Sequence, residues 1–198
     1  MDVRPGNWAC KEWAAVVHAL LEGEQILDVR KGGLREDGRH FSVQSTRFWL
    51  YPTAEHQKAE LLKAPYRDWI DLAHAAPVGE PITIEGWADV VKLATITTSE
   101  ELDAIGSKLV WTDDYAASRL GWKPRDPLWV LALRVHRLLE PVTVAWDDAY
   151  GGCTSWVQLA GLPDDPASLA SEPALSDVAF EARLKGCVEA LPSLADPS

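Results

Sequence analysis

The chain is poor in cysteine, and what it has is badly placed for the usual cysteine chemistries. Cys10, Cys153 and Cys187 are three in number and widely spaced, with no CxxC pair and no Cys/His ligand spacing. A structural zinc site is therefore not expected, and reduced thiols in a cytoplasm are the simplest account. No apolar run approaches the roughly 18 residues a membrane span needs, and no charged-then-apolar leader opens the chain, so neither a span nor a signal peptide is expected. The phosphate-binding patterns GxxxxGK[ST] and GxGxxG are missing, as are GxSxG, HExxH, the kinase signature and a Nudix-type Glu-rich box. Repeats and low-complexity tracts are missing too. A basic balance is also lacking. The formal net charge is −11, so sequence-blind binding to a phosphate backbone would work against a repulsive field.

The charge is unevenly spread. Residues 161–198 carry two basic against seven acidic groups, whereas residues 25–67 carry eight basic and five acidic. A local basic pocket for one anion thus remains open. The length of 198 residues suits one domain or two small ones, and 47 % hydrophobic with 25 % charged residues is ordinary for a globular protein. Ten tryptophans are many for this length. Each is a large apolar body with one N–H to satisfy, so they build the core, and one or two of them could line a pocket.

Hydrophobic spacing at Trp13, Val16, Val17, Leu20 and Leu21 predicts a helix over residues 8–22, capped by Asn7 and ended by Gly23. Strands are expected at 25–30 and, as one strand or a bent pair, at 41–44 and 47–51. Pro52-Thr53 is read as a break, with Thr53 capping a helix over 54–63, and a further helical patch follows at about 66–75. The Pro/Gly joint at 76–81 divides the chain. Beyond it come a β-rich stretch at 82–97, a capping box at Thr98-Ser99-Glu100-Glu101, a helix at 113–120, strong strands at 128–138 and 142–146, and a last helix at 177–191. This order, without regular βαβ alternation, indicates α+β: a mixed or antiparallel sheet with flanking helices. The organisation expected is an N-terminal αββα region (1–76), a β-rich region (77–161) and an acidic linker with a C-terminal helix (162–198), as one unit or two closely packed subdomains.

The candidate site lies between Arg30 and Gln57. Arg30-Lys31-Gly32-Gly33 follows a strand. Two glycines allow positive φ and let backbone N–H groups face outward, and the paired cations suit a phosphate or carboxylate. The competing reading is a hairpin turn with solvated charges. Arg47 is a further cation for the same ligand. In Pro52-Thr53-Ala54-Glu55-His56-Gln57, a helix start at Thr53 would offer an anion-binding end, with His56 as general acid or base and Gln57 orienting the ligand. A solvated first turn is the alternative there. Glu36 is the second candidate for proton transfer. Glu12 is explained by a helix dipole alone. A metal held by Asp28, Glu36 and His56 is conceivable, but no spacing brings them together, and no cofactor is named by any motif. Arg134 and His136 alternate on one strand face. Tyr150–Trp156 could be a ligand-lining loop or a tight turn.

Lys11-Glu12-Trp13-Ala14, then Arg30-Lys31-Gly32-Gly33-Leu34-Arg35-Glu36, then Phe48-Trp49-Leu50-Tyr51-Pro52-Thr53 with His56-Gln57, together resemble a bacterial family known as domain of unknown function 1802. The resemblance covers residues 8–66 closely and extends loosely to about 160. It implies that the two turns form one signature, and Asp28 is a departure in a strand that is more uniformly apolar in that family. The second half, in Trp87–Ile96, the helix after Thr98 and Leu128–Val144, is similar in element order to PUA-like small β-barrels, which implies RNA or modified-base binding. Three functions follow as expectations. The first is a pocket for a small phosphate- or nucleotide-like anion, with phosphoester or nucleotide chemistry if it is an enzyme. The second is a non-catalytic nucleic-acid or modified-base module stacking on Trp111, Trp122 and Trp156, with a phosphate at Arg134. The third is a protein–protein adaptor.

Overall fold

The structure is a computed structural model that describes residues 6–31, 43–73, 75–152 and 154–196. Gly32, Gly33 and Glu36 of the candidate site lie outside these, as does Cys153. The described residues form an α+β fold: one mixed sheet of seven strands with five α-helices against it. In chain order the elements are β1 (Trp8–Trp13), α1 (Ala14–Leu21), β2 (Leu27–Arg30), β3 (Arg47–Thr53), α2 (Trp69–Leu72), β4 (Ile82–Ile96), α3 (Ser99–Gly106), α4 (Asp113–Gly121), β5 (Leu128–Val144), β6 (Trp156–Gln158), β7 (Ser171–Pro173) and α5 (Asp177–Ala190). Among the described residues no helix is long and apolar enough to cross a membrane.

The sheet runs β2-β5-β4-β3-β1-β6, with β7 added to β5. The pair β1/β3 is parallel and the other pairings are antiparallel. The strand–helix–strand order expected of the second half is present as β4, α3, α4 and β5. At about 3.3 Å per residue, fifteen-residue β4 would reach about 50 Å if flat. Register shifts at Ile84/Gly86 and Val90/Lys92 bend it instead. At the first bulge Gly86 is required by contact, because a Cβ there would stand 2.5 Å from the carbonyl oxygen of His136. The bent sheet has two buried faces. One packs Phe48, Leu50, Leu131 and Leu133 with α1 and Phe180 of α5, and the other gathers Trp49, Tyr51, Trp87, Ile84 and Tyr150.

Two expectations about local structure are overturned. The helix expected over 8–22 is half strand. Trp8–Trp13 hydrogen-bonds to β3 on one side and β6 on the other, and helical spacing holds only from Ala14 onward. Asn7 caps nothing; its side-chain amide donates to the carbonyl of Leu159. The helix expected over 54–63 does not form either. Thr53 ends β3, and its hydroxyl accepts from the Glu55 N–H at 3.1 Å, closing a tight turn. His56 then takes φ 64°, which no α-helix tolerates. Only a short 3₁₀ turn at Ala59–Leu61 follows. Pro52 does not break the strand, because β4 pairs with β3 only through Arg47–Trp49 and leaves that flank without a ladder at residue 52.

Candidate functional site

A cavity of about 310 Å³ opens at the ends of the parallel strands β1 and β3. Curvature brings β2 to the same place. Although β1 and β2 are separated by three strands in the sheet, the Arg30 guanidinium donates to the Glu12 carboxylate across the interior. This pair forms the floor. Asp28, two residues before Arg30 and therefore on the same strand face, lies behind it, 4.0 Å from the guanidinium. Burial pushes the Asp28 carboxyl up to about 8 against the pull of Arg30, and the neighbouring Glu12 raises it further. Burial and the neighbouring Glu12 thus favour the protonated form of the Asp28 carboxyl beside the Arg30 guanidinium. The second Glu12 oxygen accepts from the Trp13 N–H at 2.6 Å.

The walls come from four segments. Lys11, 6 % exposed, donates to the carbonyls of Tyr150 at 2.8 Å and Gly152 at 3.0 Å and meets Glu55 at 3.4 Å. Its backbone N–H donates to Ser155 at 2.9 Å, so one residue ties the 150–155 loop to the sheet from both main chain and side chain. Gly152, Thr154 and Ser155 of that loop line the cavity. The turn after β3 contributes Thr53, Glu55 and exposed His56. The stretch from Trp111 through α4 supplies Trp111, Tyr115 and Arg119, followed by Trp122. Trp13 stacks on Tyr115 with ring centroids 4.8 Å apart, and Trp111 meets both rings edge-on. At the rim, Trp122 is 39 % exposed between Arg119 and Lys123, whose cationic groups sit 4.9 and 4.6 Å from its ring centre.

Of the residues singled out from sequence, Arg30, Lys31, Thr53 and His56 share this cavity. Arg47 does not. It starts β3 at the end opposite Thr53, about 20 Å away along a seven-residue strand. There it chelates Asp89 at 2.7 and 2.9 Å, reaches Asp165 at 3.1 Å and covers the Trp87 ring. Gln57 is diverted as well: its side-chain oxygen accepts from the Ala15 N–H at 3.5 Å, at the start of α1. The helix end expected at Thr53 is a strand end, so it brings no helix dipole to an anion. Trp156 packs edge-on against Phe48 in the core, and Arg134 pairs with Asp177 at 2.6 Å, so neither joins Trp111 and Trp122. His136 stacks flat on Trp87 at 3.9 Å, and burial holds its imidazole below its ordinary pKa. Lys11, Glu12, Tyr115 and Arg119 were not picked out as site residues. Reading Trp8–Trp13 as a strand would have exposed the first two, since a Lys and a Glu inside a buried strand need partners. Among the described residues, no cluster of three or more His, Cys, Asp or Glu is placed to hold a metal ion.

The profile of a family described as "Domain of unknown function (DUF1802)" matches residues 9–186, which span floor, walls and rim of this cavity. The chain belongs to that family. Comparison with curated proteins gives no match. Among solved structures, the DUF1802 chain is similar to a serine-to-alanine variant of the ASCH protein of Zymomonas mobilis, at 10 % identity and TM-score 0.47, over 92 % of this chain and 98 % of that one. It is also similar to the unsubstituted ASCH protein of the same organism, at 12 % identity and TM-score 0.45, over 90 % and 94 %.

Proposed function

We propose that this protein binds a small nucleotide-like anion in the cavity between β1, β3 and α4. One observation carries the reading: a chain of net charge −11 collects Lys11, Arg30, Lys31 and Arg119 around a single cavity walled by Trp13, Trp111, Tyr115 and Trp122. A flat ring would lie against the aromatic wall, and its charged group would face the cations. A volume of about 310 Å³ is at the small end of ligand pockets, nearer one nucleotide than a large cofactor. The test is thermal denaturation with AMP, UMP, adenosine, orthophosphate and a short single-stranded oligonucleotide. A mononucleotide at a hundredfold excess over its Kd is expected to add about 2.7 kcal/mol of stability. Arg119→Gln and Trp122→Ala, both at the accessible side of the cavity, are expected to abolish the shift. No shift with any probe, or an equal shift in both variants, refutes the proposal. A shift confined to the oligonucleotide would favour the nucleic-acid module instead.

Chemistry on the bound ligand is a second reading, favoured by one feature. His56 carries an ionisable imidazole on an exposed turn at the cavity with φ 64°, a backbone state that tends to be kept where a side chain must be aimed. In this reading His56 moves a proton to or from a phosphoester or nucleotide. His56→Gln is then expected to slow turnover about 10²–10⁴-fold while leaving affinity intact. Mononucleotides that bind but stay unchanged over days of incubation would leave binding as the whole function.

A further inference from the structure

We infer that the ligand carries a terminal phosphomonoester dianion, clamped by Lys31 and Arg119. The inference rests on the nucleotide-binding reading and names which kind of anion that site takes. It follows from how the cations of the cavity are already used. Lys11 has Glu55 at 3.4 Å and two carbonyl acceptors. Arg30 has Glu12 on the floor. Each of these cations is thus balanced by a carboxylate within the cavity itself. Lys31 and Arg119 are different. The Lys31 ammonium, in a residue only 3 % exposed, donates to one described acceptor, the Leu120 carbonyl at 2.8 Å, and pairs with no carboxylate among the described residues. Arg119, the residue before Leu120, covers the Trp122 ring and likewise has no described ion-pair partner. The two cations are close enough for the charge of Arg119 to act on the Lys31 ammonium. The ammonium is anchored on the last turn of α4, and both residues line the cavity.

Two positive charges, neither of them in an ion pair with a carboxylate among the described residues, suit an anion of charge about −2. A phosphomonoester reaches that charge near neutral pH, with its second pKa near 6. An internal phosphodiester, as in a nucleic-acid strand, stays at −1. Glu12 and Glu55 are spent on Arg30 and Lys11, Lys123 adds positive charge at the rim, and Asp126 is the largest single charge acting on Lys31, opposed by Arg119 and Lys123 together. Burial, together with repulsion from Arg119 and Lys123, holds the Lys31 ammonium below its ordinary pKa, so a bound dianion would relieve an existing strain in the charge distribution. Guanidinium–phosphate contacts are frequently bidentate, whereas the ammonium acts as a point charge, so the clamp would combine both modes.

The experiment is calorimetric titration of the full chain with AMP, the methyl phosphodiester of AMP and adenosine, and with the corresponding UMP series, from pH 5 to pH 8. The methyl esters keep ring, sugar and one negative charge but lack the second ionisation. Their pH profile therefore reports the protein's own groups, and the ratio of monophosphate to ester affinity isolates the ligand's. The expected result is a ratio of about tenfold or more at pH 7.5 that shrinks toward unity at pH 5. Arg119→Gln is expected to remove the ratio, and so is Lys31→Gln. Arg119 is the decisive position should the buried Lys31 variant fail to fold. Monophosphate and ester binding equally, and both well above adenosine, would overturn the dianion clamp while leaving the anionic-ligand reading in place. Adenosine binding as well as AMP, or no binding by either series, would overturn both.

Discussion

At the scale of single residues, the floor of the cavity is the part most exposed to physical test. Asp28 is buried with its carboxyl raised to about 8, from an ordinary 3.8. An acid with a raised folded pKa holds its proton longer in the native state than in the unfolded chain. Its contribution to stability is therefore full below about pH 4 and is progressively lost as pH rises to about 8. Asp28→Asn removes that loss and keeps an N–H to donate to Glu12. The variant is expected to melt several degrees above the wild type at pH 8–9, with the gap closing toward pH 4. A gap that does not vary with pH in scanning calorimetry would show that Asp28 is not protonated there. Glu12→Gln is the opposite case. It leaves the Arg30 guanidinium buried without its strongest partner, and breaking such a pair destabilises by about 3–5 kcal/mol. The loss is expected to be smaller at pH 9 than at pH 5, because an ionised Asp28 can then answer Arg30; urea unfolding at the two pH values measures it. Arg47→Ala separates the two ends of β3. Its half-exposed chelate with Asp89 contributes about 1 kcal/mol. Its removal is expected to lower the melting temperature by a few degrees and leave mononucleotide affinity unchanged, as titration of the variant would show.

At the scale of elements, local chemistry decides which segments can be read from sequence. The capping box at Thr98 is formed in full, with the Thr98 hydroxyl accepting from the Glu101 N–H at 3.3 Å and the Glu101 carboxylate reaching back to the Thr98 N–H. The Thr97 N–H, with the Thr98 N–H and hydroxyl, donates to the Glu101 carboxylate and holds it below its ordinary pKa. Thr98→Ala is expected to cost about 1 kcal/mol, read as a shift in the urea midpoint with an unchanged slope. Elements with such internal signals, α3, α4 and α5, and the long run of β4 stand close to their expected limits, whereas the strands expected at 128–138 and 142–146 are one, β5, which runs through Pro141. β1 was hidden because its partners are remote: β3 begins 34 residues after β1 ends. Its Trp13 also satisfies both the strand it ends and the helical spacing of α1 that follows. The turn at 54–57 was hidden for a different reason. Thr53 is as good a turn former as a helix cap, and the positive φ at His56 settles the matter through packing that no local pattern encodes. Part of the candidate site was thus legible. Arg30, Lys31, Thr53 and His56 come from segments whose motifs cluster in sequence, while Lys11, Glu12, Tyr115 and Arg119 join them only through the curl of the sheet and the packing of α4.

At the scale of the whole molecule, strands pair across the joint at 76–81. β3 pairs with β4, which lies beyond the joint, and β2 pairs with β5. The floor of the cavity comes from the first half and its aromatic wall largely from Trp111 to Trp122 in the second. The C-terminal stretch then pairs back on the flank of β4 through the Leu93–Ala195 bridge and the contact of Lys92 with Asp196 at 2.8 Å. A fragment ending at 76 would keep β1 and β3 but leave β2 with no strand beside it. It would also expose Phe48 and Leu50, which are otherwise buried, and two-stranded remnants of this kind are not stable alone. A fragment starting at 77 would keep the long β4/β5 pair but lose α1 and the strands that cover it. Neither fragment is expected to give a cooperative melting transition by itself. The intact chain is expected to unfold in one transition whose calorimetric and van't Hoff enthalpies agree. Co-expressed halves are expected to associate and regain mononucleotide binding, because every cavity segment is then present. Two resolved transitions in the intact chain, or a cooperatively folding 1–76 fragment, would show that the shared sheet is not what holds the site together.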